Sequence, residues 1–227
     1  MKYKAAIFDM DGLLLDTERI FLDAFINTCA ELDYKFEMPL FISIIGTNSV
    51  RTKDILTEGF GRGYNHDMFR EVWIKNVEAY LSTNSIPIKE GALNLLDKIS
   101  SVPMPMAVAT STRYHDAVNT LKSTGIIDYF KFIVGGDHVT NSKPDPEIYL
   151  KAADKLDVDP KECIVFEDSE NGVKSAHAAG MHVIQVPDLV TPSDEIKALG
   201  HRIYDSLNMV TGDFELIFTG FHGPASA

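Results

Sequence analysis

The amino-acid sequence predicts an α/β protein: a doubly wound parallel sheet, Rossmann-like in its core, with a helical cap inserted into it. Three observations carry this expectation. Short, wholly apolar runs recur along the chain and most are closed by Gly, Pro, Asp or Thr, as strands buried on both faces of a parallel sheet require. Amphipathic stretches of helical period alternate with those runs in the second half of the chain. One long stretch near the N-terminus keeps helical period and contains no convincing strand.

The first strand is expected at Ala5–Phe8, where the apolar run stops at Asp9. Two helical faces follow, one carrying Phe21, Ala24, Phe25, Thr28 and Leu32, the other Phe69, Trp73, Asn76 or Val77, and Tyr80. The run 40–45 between them is short and closed by Gly46, and Gly61-Arg62-Gly63 reads as a turn inside the same insert. The core is therefore expected at residues 1–16 and 85–227 and the cap at 17–84. Beyond the insert, Ala92, Leu95, Leu96 and Ile99 repeat at helical spacing, then apolar runs at 104–109, Phe132–Val134, 163–166 and 183–186 predict further strands. Asp145-Pro146-Glu147 predicts a helix capped by Asp145 with Pro146 in its first position, carrying Tyr149, Ala152, Ala153 and Leu156 inward. Ser169 is the expected N-cap of another helix, which Gly180 ends. Phe214, Leu216, Ile217, Phe218 and Phe221 are expected to pack on the core, and residues 223–227 to fray.

Composition narrows the function classes. A chain of 227 residues with 24% charged and 45% hydrophobic residues is globular in character. Lys and Arg number 21 against 33 Asp and Glu, a net charge of −12. Such a chain repels phosphate backbones, and no basic patch offsets this, so nucleic acid is not an expected partner. Cys29 and Cys163 lie far apart, which reads as buried thiols of a reducing compartment. No apolar run approaches the length of a membrane span. The expectation is a cytoplasmic, monomeric protein acting on a small molecule.

Four segments fall where strands should end, at the edge where open α/β sheets bind ligands. Asp9 and Asp11 of Phe8-Asp9-Met10-Asp11-Gly12 project to one side of an extended backbone. Two carboxylates at one point need a cation or a shared proton; a solvated turn is the bland alternative. Thr110-Ser111-Thr112 offers hydroxyls and N–H groups to an anion, or simply caps a helix. Lys143-Pro144-Asp145-Pro146 holds Lys143 extended, as an offset to the acids and a clamp for phosphate, or as an ordinary surface lysine. Glu167-Asp168, with Asn171-Gly172 beyond, adds carboxylates at the edge, and with Asp9 and Asp11 makes the oxygen-rich set that Mg²⁺ prefers. Acids stabilising a helix start are the competing explanation there.

Together these segments resemble the haloacid dehalogenase superfamily. The strings Phe8-Asp9-Met10-Asp11-Gly12-Leu13-Leu14-Leu15-Asp16-Thr17-Glu18 and 166–180 are similar to its beta-phosphoglucomutase-like branch, and the resemblance runs from residue 3 to about 188. It implies a phosphatase of small phosphate monoesters, sugar phosphates or nucleotide-like esters. In that reading Asp9 is the nucleophile, forming an aspartyl-phosphate, and Asp11 the general acid and base. Mg²⁺ is held by Asp9, the Asp11 carbonyl and Asp168, with Glu167 as ligand or neighbour. Thr110, the Ser111 N–H and Lys143 take the phosphoryl oxygens, and Asn171 orients the metal-site loop.

Sugar-phosphate mutases of the branch carry a His in the first cap helix, where this chain has Phe21, and an Arg where it has Ser49, with Arg51 two residues on. The resemblance therefore favours hydrolysis over isomerisation. A phospho-Asp receiver module would also carry an N-terminal acidic pair, but it would have no use for the insert. Gly46, Asn48, Ser49 and Arg51 form a polar cap loop expected either to reach substrate or merely to join helices. Phe21 and Phe25 are expected inside the cap, with Tyr64, His66 and Trp73 confined to packing or surface.

Overall fold

The computed structural model describes residues 1–47 and 49–220, so the expectations for Asn48, Phe221 and residues 223–227 lie outside the described residues. After β1 (Ala5–Phe8) come four successive helices, α1 (Thr17–Glu31), α2 (Met38–Ile42), α3 (Ser49–Phe60) and α4 (His66–Leu81). Strand and helix then alternate: α5 (Ala92–Ser100), β2 (Met106–Ala109), α6 (Tyr114–Ser123), β3 (Phe132–Val134), α7 (Glu147–Leu156), β4 (Cys163–Glu167), α8 (Glu170–Ala178) and β5 (His182–Gln185). The chain closes with α9 (Asp194–Lys197), β6 (Arg202–Ile203), α10 (Leu207–Gly212) and α11 (Phe214–Phe218).

All six strands are parallel, in the order β3-β2-β1-β4-β5-β6. Successive residues of each strand serve opposite layers. Ala6, Phe8, Val108, Ile164 and Phe166 belong to one buried cluster, closed by α5, α10 and α11. Ala5, Ile7, Ala107, Val165 and Val183 belong to the other, covered by α7 and α8. Phe214, Ile217 and Phe218 are buried in the first layer, as expected of the C-terminal segment.

Element ends differ in detail from the sequence expectation. β2 starts at Met106 because Pro105 has no N–H for the ladder and Met104 donates instead into a turn, to Val102. Helix α7 begins at Glu147, one residue late, because Asp145 first closes a turn onto Ser142. Asp145 still caps it by accepting the Glu147 N–H at 2.9 Å. Ser169 caps α8 by accepting from the Gly172 N–H at 3.1 Å.

Helices α1 to α4 bury a separate core of Phe25, Cys29, Phe41, Ile44, Leu56 and Phe69. Phe25 is its centre, fully buried, with the rings of Phe41, Phe69 and Trp73 at 5.3, 5.2 and 5.2 Å. The two connections to the rest of the chain bind each other: the Asp16 N–H donates to Pro87 and the Lys89 N–H to Leu14, at 2.9 and 2.8 Å. Phe25→Ala should lower unfolding free energy by about 3–5 kcal/mol, read from urea unfolding followed by tryptophan fluorescence. A loss below about 1 kcal/mol, the range of surface substitutions, would mean that the ring cluster does not hold these helices together.

Candidate active site

The register of the three central strands assembles the site. Phe8 lies level with Val108 on β2 and Phe166 on β4, so Asp9, Thr110 and Glu167 emerge near one another at the C-terminal edge. The Asp9 N–H donates to the Phe166 carbonyl at 3.0 Å, extending the ladder through the residue that carries the carboxylate.

Lys143 reaches this edge from the connection between β3 and α7 and is buried. Its ammonium donates to Asp9 Oδ1 at 2.5 Å, Glu167 Oε1 at 2.6 Å and the Ala109 carbonyl at 3.2 Å. All three of its hydrogens are thereby used. Burial alone would lower its pKa, yet Asp9 and Glu167 outweigh that and raise it, so it stays charged. Its Nζ also lies 5.0 Å from the centre of the Tyr149 ring.

Glu167 is fully buried and both of its oxygens are occupied. Oε1 accepts from Lys143 and from the Tyr149 hydroxyl, each at 2.6 Å. Oε2 accepts from the N–H groups of Asp168 and Ser169 and from the Ser169 hydroxyl, at 3.0–3.1 Å. Residue 172 must be Gly for this carboxylate to fit, since a Cβ there would stand 1.7 Å from Oε1. Buried Gln185 donates to the Asp168 carbonyl at 3.1 Å.

Asp11 is held by three hydroxyls: Thr17 on Oδ1 at 2.9 Å, and Thr110 and Thr112 on Oδ2 at 3.2 and 2.8 Å. Gly12 turns the chain away at φ +82°, and a Cβ there would approach Asp168 Oδ2 to 2.4 Å. Negative charge accumulates accordingly. Burial pushes Asp9 up to about 8 despite Lys143, with Glu167 and Asp11 adding to the rise. Burial, Glu167 and Asp9 likewise hold Asp168 well above the usual carboxylate range. Glu18, in the first turn of α1, is pushed up to about 8 by burial and by Asp11, Asp9 and Asp188.

These carboxylates suit a divalent cation. Oxygens of Asp9, Glu167 and Asp168 lie within 4.8 Å of one another, all three are buried, and Lys143 pairs with two of them. Hard carboxylate oxygens in negative excess are the donors Mg²⁺ takes. Because Glu167 already accepts five hydrogen bonds, Asp9 and Asp168 have the lone pairs to offer.

The structure thus brings Asp9, Asp11, Thr110, Lys143, Glu167 and Asp168 together. Ser111 and Asn171 lie at the margin and face the cap. The Ser111 hydroxyl donates to the Gly46 carbonyl at 3.1 Å and the Asn171 amide to the Ile45 carbonyl at 3.4 Å. Arg51 is exposed on α3 and does not line the cavity beside Asp9. That cavity, of about 620 Å³, runs from Asp9 and Asp168 up to the cap. Phe21, His66 and Trp73 line it, which corrects their assignment to packing or surface alone, because α1 and α4 turn one edge of the cap's aromatic cluster toward the core. Sequence reasoning also missed Thr17, Glu18, Thr112 and Tyr149 as neighbours of the acids. Thr17 and Glu18 follow the first motif directly and were within its reach; nothing in the helical spacing of Tyr149 distinguishes it from a packing residue.

Fold and site together define a capped α/β enzyme with carboxylates gathered about a buried lysine at the switch point of its sheet. The profile of the haloacid dehalogenase-like hydrolases matches residues 6–186. Phosphorylated carbohydrates phosphatase of Thermotoga maritima is 32% identical over 181 residues, covering 80% of this chain and 83% of that protein. Fructose-1-phosphate phosphatase YqaB of Escherichia coli is 30% identical over 197 residues, covering 82% and 97%. The fold is that of beta-phosphoglucomutase from Clostridium difficile, with a TM-score of 0.78 at 23% identity over 93% of this chain and 95% of that one. The chain belongs to the haloacid dehalogenase-like hydrolase family and is a phosphoric monoester hydrolase.

The raised pKa of Glu18 has a consequence for stability. Folded, Glu18 keeps its proton up to about pH 8, whereas unfolded it releases it near pH 4.5. Folding above that lower value therefore takes up a proton, and its cost grows as pH rises toward the upper one. Glu18→Gln removes that cost, so the metal-free variant should gain stability over wild type by a margin that widens between pH 5 and pH 8, on the order of 1–2 kcal/mol. Paired denaturant titrations at the two pH values measure it; a margin independent of pH would refute the assignment.

Proposed function

We propose that the protein is a Mg²⁺-dependent phosphatase of small phosphate monoesters, sugar phosphates or nucleotide-like esters, acting in the cytoplasm through an aspartyl-phosphate intermediate. The observation that carries this reading is the Asp9 carboxylate, fixed through Oδ1 by Lys143 and lining a cavity whose polar end holds Asp11 and Thr110. Phosphoryl transfer asks chiefly for in-line positioning and charge neutralisation.

Asp9 attacks phosphorus as its bond to the ester oxygen breaks, and Asp11 gives the leaving oxygen a proton. Asp11 then takes a proton from water as that water attacks phosphorus, releasing phosphate and regenerating Asp9. The three hydroxyls around Asp11 hold its carboxyl in reach of both oxygens. Thr110, the Ser111 N–H and Lys143 serve the phosphoryl oxygens, with Lys143 sharing donors it gives to Asp9 and Glu167. Asp9, Asp168 and the Asp11 carbonyl would hold Mg²⁺, beside Glu167, and the ion would neutralise phosphoryl charge so that an anionic nucleophile can approach. One chain supplies every one of these groups, consistent with a monomer. Relatives named for phosphorylated carbohydrates and fructose 1-phosphate support the substrate range.

Isomerisation is the less favoured reading. Phe21, which lines the cavity, occupies the position where the mutases of this branch carry a His, and a phenyl ring cannot relay a proton. Asp9→Asn should take phosphate release below detection with the fold intact, and near-wild-type turnover in that variant would remove Asp9 as nucleophile. Lys143→Ala should lower kcat/KM by roughly 10²–10³. Chelation should abolish release and added Mg²⁺ restore it; activity unaffected by chelator would exclude the metal requirement.

A further inference from the structure

The cavity beside Asp9 is divided by polarity, and the division bears on the leaving group of the phosphatase proposed above. At about 620 Å³ it is sized for a ligand well beyond a bare phosphate. Its core side is polar: Thr112, Arg113, Asp137 and Thr140 line it there. The cap side presents an apolar face of Phe21, Trp73, Ile74 and Val77, with Thr52 and His66 among the polar residues beside it. Phe21 is 37% exposed and Ile74 38%, so these large side chains open into the cavity instead of closing the cap's own core.

The face formed by the Phe21 and Trp73 rings has no free donor or acceptor of its own. The Trp73 indole N–H, its one donor, is given to the Phe21 backbone carbonyl at 3.1 Å. The two rings meet edge to face, 6.1 Å apart at 80°, and buried Phe25 backs Trp73 at 5.2 Å. A polyol pressed flat on that face would lose water from the hydroxyls turned toward it, and the rings give nothing in return. A flat ring would gain contact area and aromatic packing. Arg70 and Glu78, also on α4, border the same space and supply polar groups for a ring's edge.

We propose that the leaving group is a sugar bearing a flat heteroaromatic ring, so that the substrate class is nucleoside 5′-monophosphates, with the ring on the Phe21–Trp73 wall and the sugar on the polar floor. The inference rests on the phosphatase reading and narrows it. Phe21 is then a specificity-determining residue.

The test compares uridine and adenosine 5′-monophosphates with ribose 5-phosphate, which has the same phosphorylated sugar without the ring. With Mg²⁺ present, kcat/KM for at least one nucleotide should exceed that for ribose 5-phosphate by roughly tenfold or more, the range of base stacking on aromatic side chains. Phe21→Ala should erase most of that preference and Phe21→Tyr should keep it. Equal or better hydrolysis of ribose 5-phosphate would overturn the proposal, as would a preference unchanged in Phe21→Ala. A binding arm separates this from the phosphatase reading: calorimetry of the Asp9→Asn variant with the same three esters and Mg²⁺. If no ester is hydrolysed by the wild type, the phosphatase reading is the one that fails. Tighter nucleotide binding by the variant would still support the ring site, and indifferent binding would overturn it.

Discussion

The ammonium of Lys143 is the interaction on which the site depends. Three buried carboxylates, Asp9, Glu167 and Asp168, converge at one edge of the sheet, and burying such charges is costly unless they are paired and hydrogen-bonded. Lys143 binds two of them directly, at 2.5 and 2.6 Å. Burial first, and then the neighbouring carboxylates that one cation cannot balance, hold Asp9 and Asp168 above the usual carboxylate range even beside Lys143. The surrounding structure serves the same end. Tyr149 and two N–H groups satisfy Glu167, and Gly172 leaves room for it. The residual negative charge is what a divalent cation would relieve.

The helices of the insert are tied to this edge at two levels. At the base, the paired backbones of residues 14–16 and 87–89 are braced by charge. Asp188, in the loop after β5 with its side chain only 3% exposed, takes Arg19 of α1 at 2.8 Å and Lys89 at 2.5 Å. Arg19 is half-exposed, so water screens its pair and the contribution is modest; the more buried Lys89–Asp188 contact joins the second connection to the same anchor. At the top, Ser111 and Asn171 reach the loop after α2. Connections braced at one end and a loop docked at the other set the cap over the buried acids, where charge interactions are less screened than in water.

How much of this was legible in the sequence follows from the range of the interactions. The central strands were legible because burial on both faces leaves uninterrupted apolar runs, and the acids were legible because each directly follows such a run. The helical insert was visible through the spacing of Phe21, Phe25, Phe69 and Trp73. Contacts between residues distant in sequence were legible only where a motif marked both partners. Lys143, 134 residues from Asp9, was expected to offset the acids because its loop falls at the same sheet edge, whereas Tyr149 shows only the period of a core residue although its hydroxyl holds Glu167. Period also cannot say which edge of an aromatic cluster stays open. It placed Phe21 and Phe25 on one helical face, and only the packing of α4 over α1 separates them into a cavity wall and a core centre.

Docking through the backbone has a consequence for how the molecule divides its labour. Ser111 and Asn171 grip the carbonyls of Gly46 and Ile45, groups that every residue possesses. The steric requirement is confined to Gly46, at φ +71°, where a Cβ would come within 2.9 Å of the Ser169 hydroxyl. Cap side chains that face the cavity therefore carry little of the docking. Phe21 and Trp73 are held instead by the cap's own ring cluster and by the Trp73–Phe21 hydrogen bond. Asp9, Glu167 and Lys143 are fixed by contacts among core residues, and Asp11 by Thr110, Thr112 and Thr17 at the start of α1, none of them a side chain of that wall. Substitutions in that wall should then alter which leaving group fits while Asp9, Asp11 and Lys143 keep their geometry, because the two sets of contacts share no side chain.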